Sequence, residues 1–155
     1  MNYSRKLDKL CHSLATSQAR IFDRSVEEGL PSFFFIKSFM LSLEAKALDE
    51  LCLEQSGINE VEIFESIKQK IKSHRGELLP YPVIHFIGYF YRVTSYLTNI
   101  ASKTLLEKIP PKFLVNNYST LHSLPIESAI DEVFEINKIK VKTKEELFFD
   151  IYKKL

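Results

Sequence analysis

Apolar residues recur along most of this chain at spacings of three and four positions, which are typical of amphipathic helices. Ser4 can cap a first helix over about 4–28, and Gly29 and Pro31 then interrupt the pattern. The next apolar run predicts a second helix over about 32–55. No segment shows sustained alternation of apolar and polar residues, so the pattern predicts no strand.

Capping residues and prolines divide the rest of the chain into further helical segments. Asn59 can cap a third helix with acidic residues at its start and basic residues at its end, an order that suits the helix dipole. Prolines then open shorter helices, and Thr143 with Glu146 forms a capping box for a terminal helix. We predict one all-α domain over residues 1–155, a bundle of six to eight helices around a central helix at about 82–99.

The predicted central helix, residues 82–99, is apolar on nearly every side. The exception is one narrow line of five polar or small residues that fall within roughly 80° of one another around the helix axis. They are His85, Gly88, Arg92, Ser95 and Asn99. A helix wrapped in large apolar side chains belongs at the centre of the molecule, so its histidine and arginine must find partners there or line a cavity. The glycine costs a helix about 1 kcal/mol relative to alanine and therefore indicates a close helix crossing.

Arg92 is the strongest candidate for a site, because a buried guanidinium must be paired. Glu44 lies beside the apolar stripe of the second helix, so we predict a buried ion pair between Glu44 and Arg92 that sets how the two helices pack. The alternative is a small-molecule or enzyme site around His85, Tyr89 and Arg92, in which the imidazole transfers protons near neutral pH. A cavity that reaches solvent would favour this alternative.

Composition and motifs narrow the range of functions. Lys and Arg total 21 against 20 for Asp and Glu, so a net charge of +1 provides no field to gather nucleic acid, and we expect no nucleic-acid partner. The chain has none of the motifs that cradle phosphates, bind zinc in hydrolases, or form serine esterase and EF-hand sites. We therefore expect no cofactor and no metal, and we favour a binding protein over an enzyme.

The cysteines and the hydrophobic windows bear on location. Cys11 and Cys52 lie on separate predicted helices among apolar neighbours, which favours reduced core thiols over a disulfide. The charged N-terminal sequence lacks a signal-peptide pattern. The two most hydrophobic windows, around 33–43 and 83–97, are short for a membrane span, and each contains a basic residue. We expect a cytoplasmic protein that does not cross a membrane.

Arg5 and His12 are separated by six residues, a spacing that resembles the arginine and histidine pair of HEPN ribonucleases. This resemblance implies a helical nuclease as a further alternative. HEPN proteins place the pair late in the domain, with a polar residue after the arginine, whereas here it lies in the first predicted helix and Lys6 follows. We therefore expect no ribonuclease activity.

Three other segments carry a second resemblance: FIGYFYR at 86–92, SK at 102–103 and IESAIDEV at 126–133. Together they resemble a group of small all-helical bacterial proteins associated with toxin–antitoxin or mobile-element loci. The resemblance implies a cytoplasmic accessory or antitoxin-like protein that acts by binding another protein. It implies no catalytic residue.

The run of Phe33, Phe34, Phe35 and Ile36 cannot be buried on one face of a helix, because its members point in four directions around the circumference. At least one large side chain must face away from the main core, toward another chain or toward the terminal helix. Our leading hypothesis is a non-enzymatic interaction protein, antitoxin-like or immunity-like. Its partner would be another protein or, in a homodimer, a second copy of itself.

Overall fold

The computed structural model describes residues 3–51 and 59–154. Over these ranges the chain folds into ten helices joined by turns and short connectors, and the predicted all-α fold is confirmed. The helices are α1 (Lys9–Glu27), α2 (Ser32–Met40), α3 (Leu43–Asp49), α4 (Glu60–Ile71), α5 (Tyr81–Thr98), α6 (Ser102–Lys108), α7 (Pro111–Asn116), α8 (Tyr118–Leu121), α9 (Ile126–Ile136) and α10 (Lys144–Lys153). There are more than the expected six to eight, because the predicted second helix divides in two and the chain after Pro110 forms two short helices.

The long helix α5 lies at the centre of the bundle, as predicted. Every residue from Phe90 to Thr98 is buried. Its main neighbour is α1, which runs antiparallel to it, since His12 near the start of α1 contacts Tyr89 whereas Asp23 near its end contacts His85. The core therefore forms around the contact between these two helices, and the shorter helices cover their remaining sides.

At Gly88, helices α1 and α5 approach each other closely. A Cβ atom added there would lie 2.9 Å from Cγ of Phe22 and 3.1 Å from Cα of Ala19. Neither distance leaves room for a methyl group, and the second neighbour is backbone that cannot move alone. The helix crossing indicated by this glycine is confirmed.

The first helix begins later than predicted. Asp8 is its cap, and the Asp8 carboxylate accepts a hydrogen bond from the backbone N–H of Cys11 at 2.9 Å. Ser4 instead donates its hydroxyl and its backbone N–H to the carbonyl of Leu97, each at 3.0 Å. The predicted start at Ser4 is wrong because that residue fastens the N-terminal segment to the last turn of α5.

The predicted second helix over 32–55 is also wrong, because it breaks at Leu41 and Ser42 into α2 and α3. The Ser42 hydroxyl donates to the carbonyl of Phe39 at 2.6 Å and accepts from the backbone N–H of Ala45 at 3.0 Å. One serine thus ends a helix and caps the next, which is a local alternative to helix continuation. The predicted end at Gln55 and the second cysteine, Cys52, lie outside the described residues.

Several predicted helix ends are confirmed. The side chain of Asn59 accepts from the N–H of Glu62, and that of Thr143 accepts from the N–H of Glu146, both at 3.1 Å. Asn99 adopts a left-handed conformation with φ of 59° and ends α5.

Among the described residues, no helix combines the length and the apolar character that a membrane span requires.

Candidate interaction surface and buried polar network

Arg92 is buried at the centre of a polar network that joins four helices, and its side chain is only 1% exposed. Its Nη1 donates to Oδ1 of Asp49 at 2.6 Å, and its Nε donates to Oε1 of Gln18 at 2.7 Å. Its Nη2 donates to the hydroxyl of Ser102 at 3.1 Å. Contacts from α1, α3 and α6 thus meet on one guanidinium of α5, so the prediction of a buried, paired arginine is confirmed.

The Asp49 carboxylate is the counter-ion of this network and is surrounded by donors. Besides Arg92, it accepts from the Ser102 hydroxyl at 2.6 Å and from the Ser102 N–H at 2.8 Å. The hydroxyl of Ser95 lies 3.1 Å from Oδ1. Burial lowers the pKa of Arg92, and the adjacent carboxylate opposes that shift. The network is therefore a structural device in which each charged group is stabilised by the other.

The predicted pairing of Arg92 with Glu44 is wrong. Glu44 accepts a hydrogen bond from the hydroxyl of Ser66 at 2.5 Å and so joins α3 to α4. The break at Ser42 changes the direction of the chain. An apolar periodicity extended from α2 across this break therefore predicts the wrong inward-facing side for α3. A signal for Asp49 was available, because a carboxylate in the last turn of a helix opposes the helix dipole and needs a compensating donor.

A cleft of about 490 Å³ opens beside this network, between the end of α3 and the start of α6. Its lining residues are Met40, Leu41, Ser42, Leu43, Lys46, Asp49, Glu50, Ser95, Asn99, Ile100, Ala101, Lys103 and Thr104. Asp49 and Ser95 reach the cleft from the network, but their polar atoms are already engaged there. Leu41 and Leu43 are exposed at this cleft, so it has an apolar side as well as a polar one.

The three residues of the alternative small-molecule site have three different environments. His85 is half exposed, and its Nδ1 lies 2.9 Å from Oδ2 of Asp23. The Tyr89 hydroxyl lies 3.0 Å from Nδ1 of His12, whereas Arg92 is buried in its own network. None of the three lines the cleft described above. The structure therefore does not gather His85, Tyr89 and Arg92 around one described cavity.

Polar pairs follow the outer edge of the contact between α1 and α5. Beyond the two histidine contacts just given, the interaction of Tyr81 with the nearby Glu27 raises the pKa of that tyrosine to about 12. The guanidinium of Arg5 lies over the ring of Tyr96, 5.2 Å from its centroid. Arg5 and His12 thus contact different tyrosines. These contacts do not bring the two residues of the nuclease hypothesis together in one site.

The aromatic run at the start of α2 is mostly buried. Phe35 and Ile36 are fully buried and Phe33 is half-buried, whereas Phe34 is 43% exposed and packs against the ring of His74 at 4.7 Å between centroids. The prediction that at least one of the four faces away from the core is confirmed. The terminal helix does not cover it, because α10 lies beside the N-terminal segment and the end of α5 instead.

The terminal helix α10 carries the largest group of exposed apolar side chains on one described helix. Phe148 is 71% exposed, Ile151 63% and Tyr152 65%. Their spacing places them on one side of the helix, and we call these three residues the terminal apolar face. Phe149 flanks this face at 57% exposed, and the Lys153 ammonium lies 4.8 Å from its ring centroid. Packing of this helix on the aromatic run of α2 was one of the two alternatives that the sequence left open.

A short connector holds α10 against the bundle by the side of the helix next to this face. Ile139 is buried and Val141 packs against the core, so the connector is anchored. Lys142 then pairs with Asp150 of α10. Leu147 and Asp150 are the half-buried residues of this helix, in a shallow cleft shared with Arg5. Ile151 also lines this cleft, so the terminal apolar face begins at the edge of the attachment, and Phe148 and Tyr152 stay exposed beyond it.

Comparison with known protein families, with curated proteins and with solved structures finds no match to this chain. Within the described ranges, no group of three or more histidine, cysteine or acidic side chains is placed to hold a metal ion. The one cysteine that the structure describes, Cys11, is buried as a free thiol. The two features of the described residues that bear on function are therefore the exposed terminal apolar face and the buried network around Arg92.

Proposed function

We propose that this protein is a non-enzymatic interaction module that binds another protein chain through the terminal apolar face. The observation that carries the proposal is the exposure of Phe148, Ile151 and Tyr152 on one side of a single helix. Contiguous apolar patches on a protein surface are typical of interaction sites, and aromatic residues dominate their energetics. An isolated ten-residue helix is marginal in water, so contact with a partner would also stabilise α10.

The arrangement of the polar groups also favours binding over catalysis. The network around Arg92 pairs its guanidinium, its carboxylate and its hydroxyls with one another, which suits a structural role. His85 and Asp23 form a histidine–carboxylate pair at 2.9 Å, but His85 is not among the residues that line the cleft beside α3 and α6. An antitoxin-like accessory role in the cytoplasm is the specific form of the proposal, and it is supported by the sequence resemblance to FIGYFYR-containing proteins.

The proposal is tested by comparing two matched variants in a binding experiment. Phe148→Ser/Ile151→Ser removes most of the terminal apolar face, and Leu43→Ser removes a side chain that is 79% exposed on α3. Any chain that co-purifies with the tagged wild type is identified, purified and bound again in isolation. We expect at least a tenfold loss of affinity for the double variant and none for Leu43→Ser. A partner that binds both variants equally, or no binding of any chain including a second copy, would contradict the proposal.

A nuclease assay addresses the enzyme alternative. We expect no degradation of total RNA by the purified protein, because the Arg5 and His12 pair lies at the start of the chain with Lys6 after the arginine, unlike the HEPN pattern. If the wild type degrades RNA and His12→Ala does not, the HEPN-like alternative replaces the interaction module as the leading hypothesis.

A further inference from the structure

We infer that the protein partner of the terminal apolar face presents a carboxylate beside its own apolar side chains, and that the cleft next to Ile151 receives this carboxylate. The inference rests on the proposed function and specifies the chemistry of the partner. It depends on charges that border the face itself, on the side where α10 attaches to the bundle.

The cleft beside α10 has a volume of about 380 Å³ and is bordered on its other side by the N-terminal segment. Its charged residues are Arg5, Lys142, Asp150 and Lys154, and we call it the basic cleft. Three positive charges against one negative charge leave the cleft with a net charge of +2, whereas the whole chain has only +1. The cleft is therefore a local centre of positive charge on a molecule that is otherwise slightly acidic.

Two cations supply the excess charge of the basic cleft. Lys142 and Asp150 neutralise each other as a pair, which leaves Arg5 and Lys154. The pKa of the Asp150 carboxyl lies below its usual value, first because of the hydrogen bond from Lys142 and further because of the charges of nearby lysines. The Arg5 guanidinium lies over the ring of Tyr96, a contact that leaves its N–H groups able to donate to an oxygen. The cleft therefore suits an anionic group.

The basic cleft and the terminal apolar face share one residue. Ile151 lines the cleft and is 63% exposed on the face. Lys154 follows it by three residues, which is the spacing of neighbours on one side of a helix. Asn99, exposed at the cleft, adds an amide that can donate. A partner side chain that covers Ile151 therefore lies beside these donors, and a carboxylate next to that side chain would form charge-assisted hydrogen bonds with them.

The other charges of α10 do not change the sign of this edge. Lys144 and Glu145 precede Phe148 by four and three residues, so they flank the start of the face with opposite charges. Glu146 and Lys153 lie on the side of the helix away from the face, and they also balance. The positive excess beside the face is therefore that of the basic cleft.

An anionic membrane is another surface that attracts basic and apolar groups together. A bilayer would cover the face broadly, so it would bring lipid phosphates against Glu145 as well as toward the cleft. A protein segment can place one carboxylate in the cleft and a different group beside Glu145. The confinement of the positive excess to one edge of the face therefore favours an acidic protein segment.

Isothermal titration calorimetry with two matched peptides tests the inference. Both peptides are amphipathic helices of about fourteen residues with the same leucine and phenylalanine positions. The acidic probe has glutamate beside the apolar stripe, and the basic probe has lysine there. We expect the full chain to bind the acidic probe at least about fivefold more tightly, because each of two exposed charge contacts changes affinity roughly two- to fivefold. Raising the salt from about 0.05 to about 0.5 M should reduce this preference.

Two charge-reversed variants locate the preference. Arg5→Glu/Lys154→Glu reverses the excess charge of the basic cleft, and Lys108→Glu/Lys112→Glu makes the same change of net charge at two exposed lysines of α6 and α7. We expect the first variant to lose the preference for the acidic probe and the second to keep it. Circular dichroism and thermal melting establish that each variant is folded. Lys154→Glu alone, at the exposed end of α10, replaces the first variant if Arg5→Glu disturbs the contact with Tyr96.

Three results would overturn the inference. The first is an acidic probe that binds no more tightly than the basic probe, which includes no binding of either. The second is a preference that both charge-reversed variants change equally. The third is wild-type binding to vesicles of phosphatidylcholine and phosphatidylserine that Phe148→Ser/Ile151→Ser abolishes, because this result assigns the face to a membrane.

The outcomes also separate this inference from the proposed function. Equal binding of both probes that Phe148→Ser/Ile151→Ser weakens contradicts the carboxylate and leaves the interaction module standing. If neither probe binds and no purified protein depends on this face, both the inference and the proposed function are contradicted.

Discussion

Arg92 on α5 is buried and Phe148 on α10 is exposed, whereas arginine is usually exposed and phenylalanine is usually buried. The arginine side chain is 1% exposed, whereas the phenylalanine is 71% exposed. In the interior, the cost of burying a charge is offset by a carboxylate, an amide and a hydroxyl at 2.6–3.1 Å. At the terminal helix, the cost of exposing an aromatic ring has no such compensation from the described residues around it. The comparison shows that residue type alone does not determine where a side chain lies, because available partners matter as much.

The two regions also differ in how they depend on the rest of the molecule. The network around Arg92 needs α1, α3 and α6 in register at once, since each of these helices supplies one contact. The terminal apolar face needs only one helix and its connector. Substitutions in the network should therefore change folding stability, and substitutions in the face should change association.

The largest expected effect is that of Arg92→Ala. This change leaves the Asp49 carboxylate mostly buried without its counter-ion, so we expect a loss of about 3–5 kcal/mol in the free energy of unfolding. Chemical denaturation measures it. The matched control is Arg20→Ala, which removes an arginine that is 56% exposed and paired with Glu60, and it should cost less than about 1 kcal/mol. Equal losses of unfolding free energy for the two changes would mean that burial of the ion pair does not determine its contribution to stability.

Gly88→Ala should have the next largest effect. The added methyl group would meet Phe22 and the backbone of Ala19 at distances of 2.9 and 3.1 Å, so the contact between α1 and α5 must open. Overpacking of this kind costs about 1–3 kcal/mol. Thermal and denaturant unfolding measure the loss, and Gly88→Val should lose more than Gly88→Ala. If Gly88→Ala instead stabilised the protein through the higher helix propensity of alanine, the close approach of α1 and α5 would not restrict the side chain at position 88.

Cys11 should produce a smaller effect that depends on pH. Burial, assisted by the negative charge of Asp8, raises the pKa of its thiol from 9.0 to about 12. The folded state therefore holds this proton more tightly than the unfolded state. The resulting stability is complete below about pH 9 and is lost as the pH rises toward 12. The difference in unfolding free energy between wild type and Cys11→Ala should narrow over that range. A difference that is constant from pH 8 to 11 would contradict this assignment.

The smallest expected effect on stability is that of Phe148→Ser/Ile151→Ser. Both side chains are more than half exposed, and exposed substitutions usually change the free energy of unfolding by no more than about 0.5 kcal/mol. Denaturation at a concentration below one micromolar, where weak self-association would be negligible, measures the single chain. A loss of 2 kcal/mol or more there would show that the face is buried within its own chain.

Periodicity and capping determined much of the fold from the sequence by itself. The helical class, the central position of residues 82–99 and the caps at Asn59 and Thr143 all depend on hydrogen bonds or side-chain spacings within a few residues. The close crossing at Gly88 was also predictable, because a glycine inside a helix has a recognisable cost. These features are local, so the sequence pattern contains them.

Only the tertiary structure decided which groups meet. Arg92 was predicted to be paired, but the choice of Asp49 over Glu44 followed from the helix break at Ser42, which changed the orientation of α3. The terminal helix showed its apolar spacing in the sequence, yet its placement away from Phe34 depended on the anchored connector before it. Contacts between residues more than 40 positions apart depend on the accumulated directions of several helices and turns. A change at one turn alters all of them, whereas it leaves the local pattern of each helix unchanged.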